Sequence, residues 1–208
     1  MTDFFEVFGL ERTLAIDGAA LQRRFYELSR RWHPDFHGAA SAEAQARALE
    51  ESARVNAAYR ALRDPLARVG YLIQLEEGRA TAALKPKAPP ALLAEMFEIQ
   101  EALEEAKAGP LDDAARAVLT EQRAGLEARM AAAAARIVGP LSAAWDAAAP
   151  AGRPAALNAL KDALATRAYL RTVIDDLTAA LDPTDATASP GPPERVGGRG
   201  GHVGAPHQ

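Results

Sequence analysis

The chain is predicted to be all-α: an N-terminal antiparallel helical hairpin with short flanking helices, then a linker, a C-terminal three-helix bundle and a disordered tail. Three observations lead there. Apolar residues recur at spacings of three and four through most of the 208 residues, and no segment alternates with period two. Ala, Leu, Glu and Arg, all good helix formers, dominate the composition, while aromatic residues supply only 6% of it. Proline and glycine collect chiefly in Gly78–Pro90 and Pro183–Gln208. Those segments divide the chain into residues 1–77, a linker at 78–90, a helical region at 91–182 and a tail at 183–208.

Taken in order, Phe4, Phe5, Phe8 and Leu10 suggest a short opening helix or turn. Asp17 suits the N-cap of the first long helix, in which Leu21, Phe25, Leu28 and Trp32 stack on one face and Pro34 ends the run. Arg23, Arg24, Arg30 and Arg31 occupy its other faces. A second long helix is expected from about Ser41 to Leu62, with Ala48, Val55, Tyr59 and Leu62 inward. Asp64-Pro65 then places an N-cap before a proline at the first helical position, restarting a shorter helix through Leu66, Val69, Leu72 and Ile73.

Beyond the linker, Leu92, Met96, Ile99 and Leu103 form one core stripe of a helix. At about 100° per residue, Leu93 and Phe97 lie to one side of it and make a second apolar ridge. Ala94, Glu98, Glu101 and Glu105 edge that ridge, an apolar patch rimmed by carboxylates that suits a partner site; a wide core stripe is the structural alternative. Leu119, Leu126, Met130 and Ile137 hold one helical phase, as do Leu157, Leu160 and Leu164 and then Leu170, Ile174, Leu177 and Leu181. A three-helix bundle would bury these stripes. Gly139-Pro140 and the Pro150–Pro154 segment are expected to mark connections, with Trp145 on a short segment between them. The tail holds too few large apolar side chains to offset its chain entropy.

Composition also narrows function. With no cysteine, the chain has no disulfide framework, thiolate-held cluster or catalytic thiol of its own. A formal charge of −4 supplies no global basic field, so no nucleic-acid partner is expected. The N-terminus lacks a basic n-region and a long apolar run, and no stretch reaches the roughly 18 apolar residues of a membrane span. No membrane partner and a cytoplasmic location are therefore expected. Phosphate-cradling glycine motifs, nucleophile triads and metal cages are absent from the pattern, so neither enzymatic activity nor a cofactor is expected.

Between the two long helices sits His33-Pro34-Asp35. Proline removes a donor and fixes one dihedral, so the loop is stiff and presents an imidazole and a carboxylate beside a basic face. Such a face attracts an acidic surface, and the loop adds short-range specificity. Three readings are open. His33 and Asp35 could do no more than terminate one helix and cap the next; His33, Asp35 and His37 could ligate a metal in a hydrolase; or the loop could dock on a partner. The setting, a basic helix before the loop and Asn56–Pro65 after it, resembles the J-domain of DnaJ-type cochaperones. That resemblance implies that Arg23, Arg24, Arg30, Arg31, His33, Pro34 and Asp35 engage a DnaK-type chaperone ATPase. Phe36 and His37 stand where many J-domains carry Lys or Arg.

The opening Asp3–Leu10, the phrase Asp64–Leu72 and the helical C-terminal half resemble the HscB family of cochaperones for iron–sulfur cluster assembly, over about residues 3–181. The resemblance implies an HscA/DnaK-type chaperone partner whose ATPase is stimulated and an IscU-type scaffold as cargo. Leu93, Ala94, Phe97, Glu98, Glu101 and Glu105 match the scaffold-binding positions, with Tyr169 as an aromatic neighbour. Ala94 is smaller than the apolar residue often found there. A J-domain cochaperone with a different client protein is the alternative.

Overall fold

The computed structural model describes residues 3–37, 41–78, 93–109 and 111–182. Most of the expected linker, 79–90, and the whole expected tail, 183–208, lie outside them. Among the described residues every regular element is helical, as the periodicity predicts: α1 (Phe4–Val7), α2 (Gly18–Arg31), a 3-10 turn (Pro34–His37), α3 (Ala42–Arg63), α4 (Pro65–Glu77), α5 (Leu93–Ala108), α6 (Asp113–Arg136), a π-helical segment (Ile137–Leu141), α7 (Ser142–Ala147) and α8 (Arg153–Leu181).

Local chemistry sets the ends. The Asp17 carboxylate accepts from the amides of Ala19 and Ala20, Ser41 caps α3 through Ala44, and Asp64 caps α4 through Ala67 with Pro65 in the first turn. Each cap satisfies amides that have no partner inside their helix. Gly78 ends α4 at φ 67°, in the left-handed region where a side chain would be strained.

Two apolar clusters hold these helices together. The first joins Phe5, Phe8, Leu21, Val55, Leu62, Val69 and Leu72 of the N-terminal region to Ile137, Trp145 and Leu160. The second joins Ile99 and Leu103 of α5 to Leu119 and Leu126 of α6 and to Leu170, Ile174, Leu177 and Leu181 of α8, the three-helix bundle expected from the stripes. Helix α8 therefore belongs to both. Its first part, with Leu157 and Leu164 partly buried around Leu160, packs on the α1–α4 side, and its second part packs in the bundle. The sequence expectation had placed both stripes in the bundle alone. Periodicity tells which face of a helix is buried but not against what.

The expectation that Gly139-Pro140 marks a connection is corrected. The chain stays helical from Asp113 to Ala147, passing Pro140 through the π segment. A proline clashes with the carbonyl four residues back and cannot donate. The wider i→i+5 turn relieves that conflict: the Ser142 amide donates to the Ile137 carbonyl, and its hydroxyl donates to the same oxygen at 2.6 Å. Trp145 lies, as expected, on a short segment that follows, and it is almost wholly buried.

Polar contacts brace the N-terminal helices and tie them to α7 and α8. The Asp146 carboxylate accepts from the amides of Leu14 and Ala15, both at 2.8 Å. Arg68, 4% exposed, donates to the carbonyls of Leu62 at 2.8 Å and Leu14 at 2.6 Å. Lys161 of α8 pairs with Glu77 at the end of α4. At the N-terminus the Tyr71 hydroxyl accepts from the Phe4 amide at 2.8 Å while its ring stacks on Phe4. Burial pushes this phenol up from its ordinary pKa. Asp146→Ala should therefore cost about 1–2 kcal/mol and, more tellingly, speed hydrogen exchange at the Leu14 and Ala15 amides. Unchanged protection there would show that the carboxylate does not hold the 10–17 segment.

Candidate functional site

Helix α2 and the turn after it carry the first group of candidate residues. Its buried face is Leu21, with Phe25, Leu28 and Trp32 partly buried on the same cluster, so Arg23, Arg24, Arg30 and Arg31 are turned to solvent. Arg30 and Arg31 also lie in the last turn, where the helix dipole favours cations. The Arg31 guanidinium sits 5.2 Å from the Trp32 ring, which braces it against the helix end. From Arg24 to Arg31 is two turns, about 10 Å along the axis.

The turn itself is hydrogen-bonded and open. The Phe36 amide donates to the His33 carbonyl at 3.0 Å, and the Asp35 amide donates to His33 Nδ1 at 3.3 Å. Because Nδ1 accepts that bond, a neutral ring carries its proton on Nε2. The Asp35 carboxylate lies 3.5 Å from the same Nδ1, so a protonated ring would have a counter-ion beside it. The side chains of His33 and Asp35 are 54% and 86% exposed. A pair that only terminated and capped helices would not need to be presented this way, and α3 is capped by Ser41 instead.

Phe36, Tyr26 and Glu27 lie beside these residues, and of the three only Phe36 is singled out by the sequence. Phe36 is 66% exposed and meets the His33 ring edge-on at 6.2 Å, and Tyr26 is exposed on α2. Glu27, also exposed, pairs with Arg24 at 3.0 Å. An apolar stripe marks what is buried, but an isolated aromatic between polar residues gives no comparable signal.

The second group lies on α5. Ile99 and Leu103 are buried in the bundle, in line with the core stripe. Phe97 is 67% exposed, so the wide-core reading does not hold for it. Phe97, Gln100, Glu101 and Glu104 line a shallow depression of about 450 Å³, and Glu98 and Glu101 are exposed beside it. Tyr169 is half-buried against the second cluster. The side chains of Leu93, Ala94, Met96 and Glu105 lie outside the described residues, as do Leu92 and the side chain of His37. Among the described residues no three His, Cys, Asp or Glu side chains gather to hold a metal ion, and no helix is long and apolar enough to cross a membrane.

No family model matches the chain. Among curated proteins, the Co-chaperone protein HscB homolog of Bordetella avium is 38% identical over 127 residues, covering 58% of this chain and 70% of that protein. The chain belongs to the HscB co-chaperone family. An HscB homolog of Vibrio cholerae is 36% identical over 102 residues, 49% of this chain and 60% of the relative. The match thus spans somewhat under two thirds of that HscB's length. The solved structure of the human co-chaperone protein HscB covers 88% of this chain and 84% of its own, with a TM-score of 0.54 and 23% identity. That likeness establishes the shared HscB fold across both helical regions.

Proposed function

We propose that this HscB-family chain is a cochaperone that stimulates ATP hydrolysis by an HscA/DnaK-type chaperone and brings it an IscU-type scaffold, in support of iron–sulfur cluster assembly. The observation that carries the reading is the exposed, hydrogen-bonded turn His33-Pro34-Asp35 at the end of a helix with four solvent-facing arginines. In this reading residues 1–77 are the J-domain, 78–90 a linker, 91–182 the scaffold-binding bundle and 183–208 a tail without a core. Arg23, Arg24, Arg30, Arg31, His33, Pro34 and Asp35 contact the chaperone; Leu93, Ala94, Phe97, Glu98, Glu101, Glu105 and Tyr169 contact the scaffold. Hydrolysis takes place in the partner, and this chain contributes no catalytic residue, cofactor or metal. It acts in the cytoplasm, on protein partners rather than nucleic acid or membrane.

Coupling follows from tethering. Helix α8 contributes to both apolar clusters, and Asp146 and Lys161 link the two regions, which supports a stiff carrier. Cargo bound at one end is then held near a chaperone docked at the other, at an effective concentration that no free scaffold reaches.

Single-turnover ATP hydrolysis by an HscA-type chaperone, with and without this chain and IscU, is the decisive test. Stimulation by the chain and a further increase with scaffold are expected; a rate equal to that of chaperone alone refutes the reading. Stimulation without scaffold binding would instead mean a different client. Leu93→Ala with Phe97→Ala should weaken scaffold binding by about tenfold or more in calorimetry, as loss of a central aromatic anchor does. Reversing Arg24 and Arg31 to Glu should weaken docking mainly at low salt, because exposed charges are screened over about 10 Å at 0.1 M. A loss equal at all salt concentrations would place the arginines outside the contact.

A further inference from the structure

We infer that Glu27 is a specificity-determining residue of the arginine face, an internal counter-ion that competes with the partner's carboxylates and so sets how acidic a surface this face accepts. The inference rests on the docking role proposed above for α2 and adds a residue of opposite charge to it. Arg23 and Arg24 precede Glu27 by four and three residues, and Arg30 and Arg31 follow it by three and four. At about 100° per residue, Arg23 and Arg31 fall some 40° to either side of Glu27, and Arg24 and Arg30 some 60°. On the same scale Leu21, Phe25, Leu28 and Trp32 lie about 100–160° away, on the buried side. Glu27 therefore stands midway between two pairs of arginines, Arg23 and Arg30 on one flank and Arg24 and Arg31 on the other. Its carboxylate meets Arg24 at 3.0 Å, and both side chains are more than half exposed.

An exposed pair of this kind adds little to folding, because water already solvates both groups. Its consequence lies at the contact. An acidic partner approaching the face meets three net positive charges rather than four. It must also take Arg24 from a carboxylate that is already in place. Repulsion between Glu27 and the partner acts within a Debye length, so it is felt at ordinary salt. A partner with sparse carboxylates is disfavoured, while one dense in them outcompetes the single internal acid. The face is thereby tuned against weakly acidic surfaces. Two rival roles make opposite predictions. Were Glu27 to align the arginines for docking, or to meet a cation on the partner, removing its charge would weaken the complex.

The test is Glu27→Gln in the full chain, measured as the concentration that half-maximally stimulates ATP hydrolysis by an HscA-type chaperone. At about 0.05 M salt the half-maximal concentration should fall about three- to tenfold with the maximal rate unchanged, and at about 0.5 M the variant and wild type should converge. Glu27→Asp, which keeps the charge, should stay close to wild type and controls for altered helix packing. An unchanged or raised half-maximal concentration at low salt overturns the inference, as does a gain that survives high salt. Wild-type protein and His33→Gln run in parallel separate the two levels of the argument. If wild type stimulates, His33→Gln does not and Glu27→Gln is flat, the Glu27 inference alone fails. If wild type leaves the chaperone's rate untouched, the docking role fails and the inference falls with it.

Discussion

His33→Gln should reduce stimulation of the chaperone's ATP hydrolysis to the level of chaperone alone while leaving this chain folded. The imidazole is more than half exposed, and among the described residues it meets groups of its own turn: the Asp35 amide, the Asp35 carboxylate and the Phe36 ring. Replacing it therefore removes little burial, and the change in folding stability should stay within about 0.5 kcal/mol. At a docking contact the result is different. A flexible amide offers neither the planar ring nor the Nε2 donor held in place by the Asp35 hydrogen bond, and groups on the partner that it should satisfy are left unpaired. Asp35→Asn should act the same way, since that carboxylate is almost fully in solvent. Single-turnover hydrolysis beside a urea unfolding curve separates the two effects. Full stimulation by His33→Gln would remove the basis for the docking role.

Arg68→Met should have the largest effect on stability among the polar substitutions, about 2–4 kcal/mol in urea unfolding. The guanidinium lies within the first cluster, with Nε and Nη1 on the carbonyls of Leu62 and Leu14. Burial pushes its pKa down, and the charges of Asp64 and Asp146 oppose that shift. Methionine fills much of the same volume but cannot donate, so two carbonyls lose their partner in a site short of water. Leu14 is also the residue whose amide Asp146 accepts, and the same change should loosen the attachment of α7 to the segment that leads into α2. Arg24→Met, by contrast, removes an exposed pair and should cost little. Equal costs for the two arginines would show that burial does not distinguish them.

Helix limits were readable because they depend on neighbours in the chain: the caps at Asp17, Ser41 and Asp64 and the proline at 65 act within a turn. The His33-Pro34-Asp35 motif and the arginines were readable for the same reason, whereas periodicity left Phe97 open between core and surface and the structure places it in solvent. Gly139-Pro140 was misread because a proline normally ends a helix, and its accommodation depends on a π turn with Ser142 bonded behind it. Arg68 and Asp146 look like any surface charge in a list of residues. Their roles depend on backbone groups 54 and 132 positions away.

What the sequence by itself determined is thus the all-α class, the order and faces of the helices, and the chemistry carried by the turn after α2. Those follow from local dihedral preferences, capping and a 3.6-residue period. What only the tertiary structure decided is which buried faces meet. Leu160 and Leu177 lie on one continuous helix with the same apolar character, yet one packs with Phe5, Leu62 and Trp145 and the other with Ile99 and Leu126. The hydrophobic effect has no direction and rewards any dry apolar contact, so the choice of partner falls to shape and to the few polar groups, Arg68, Asp146 and Lys161, that must find a partner across the fold.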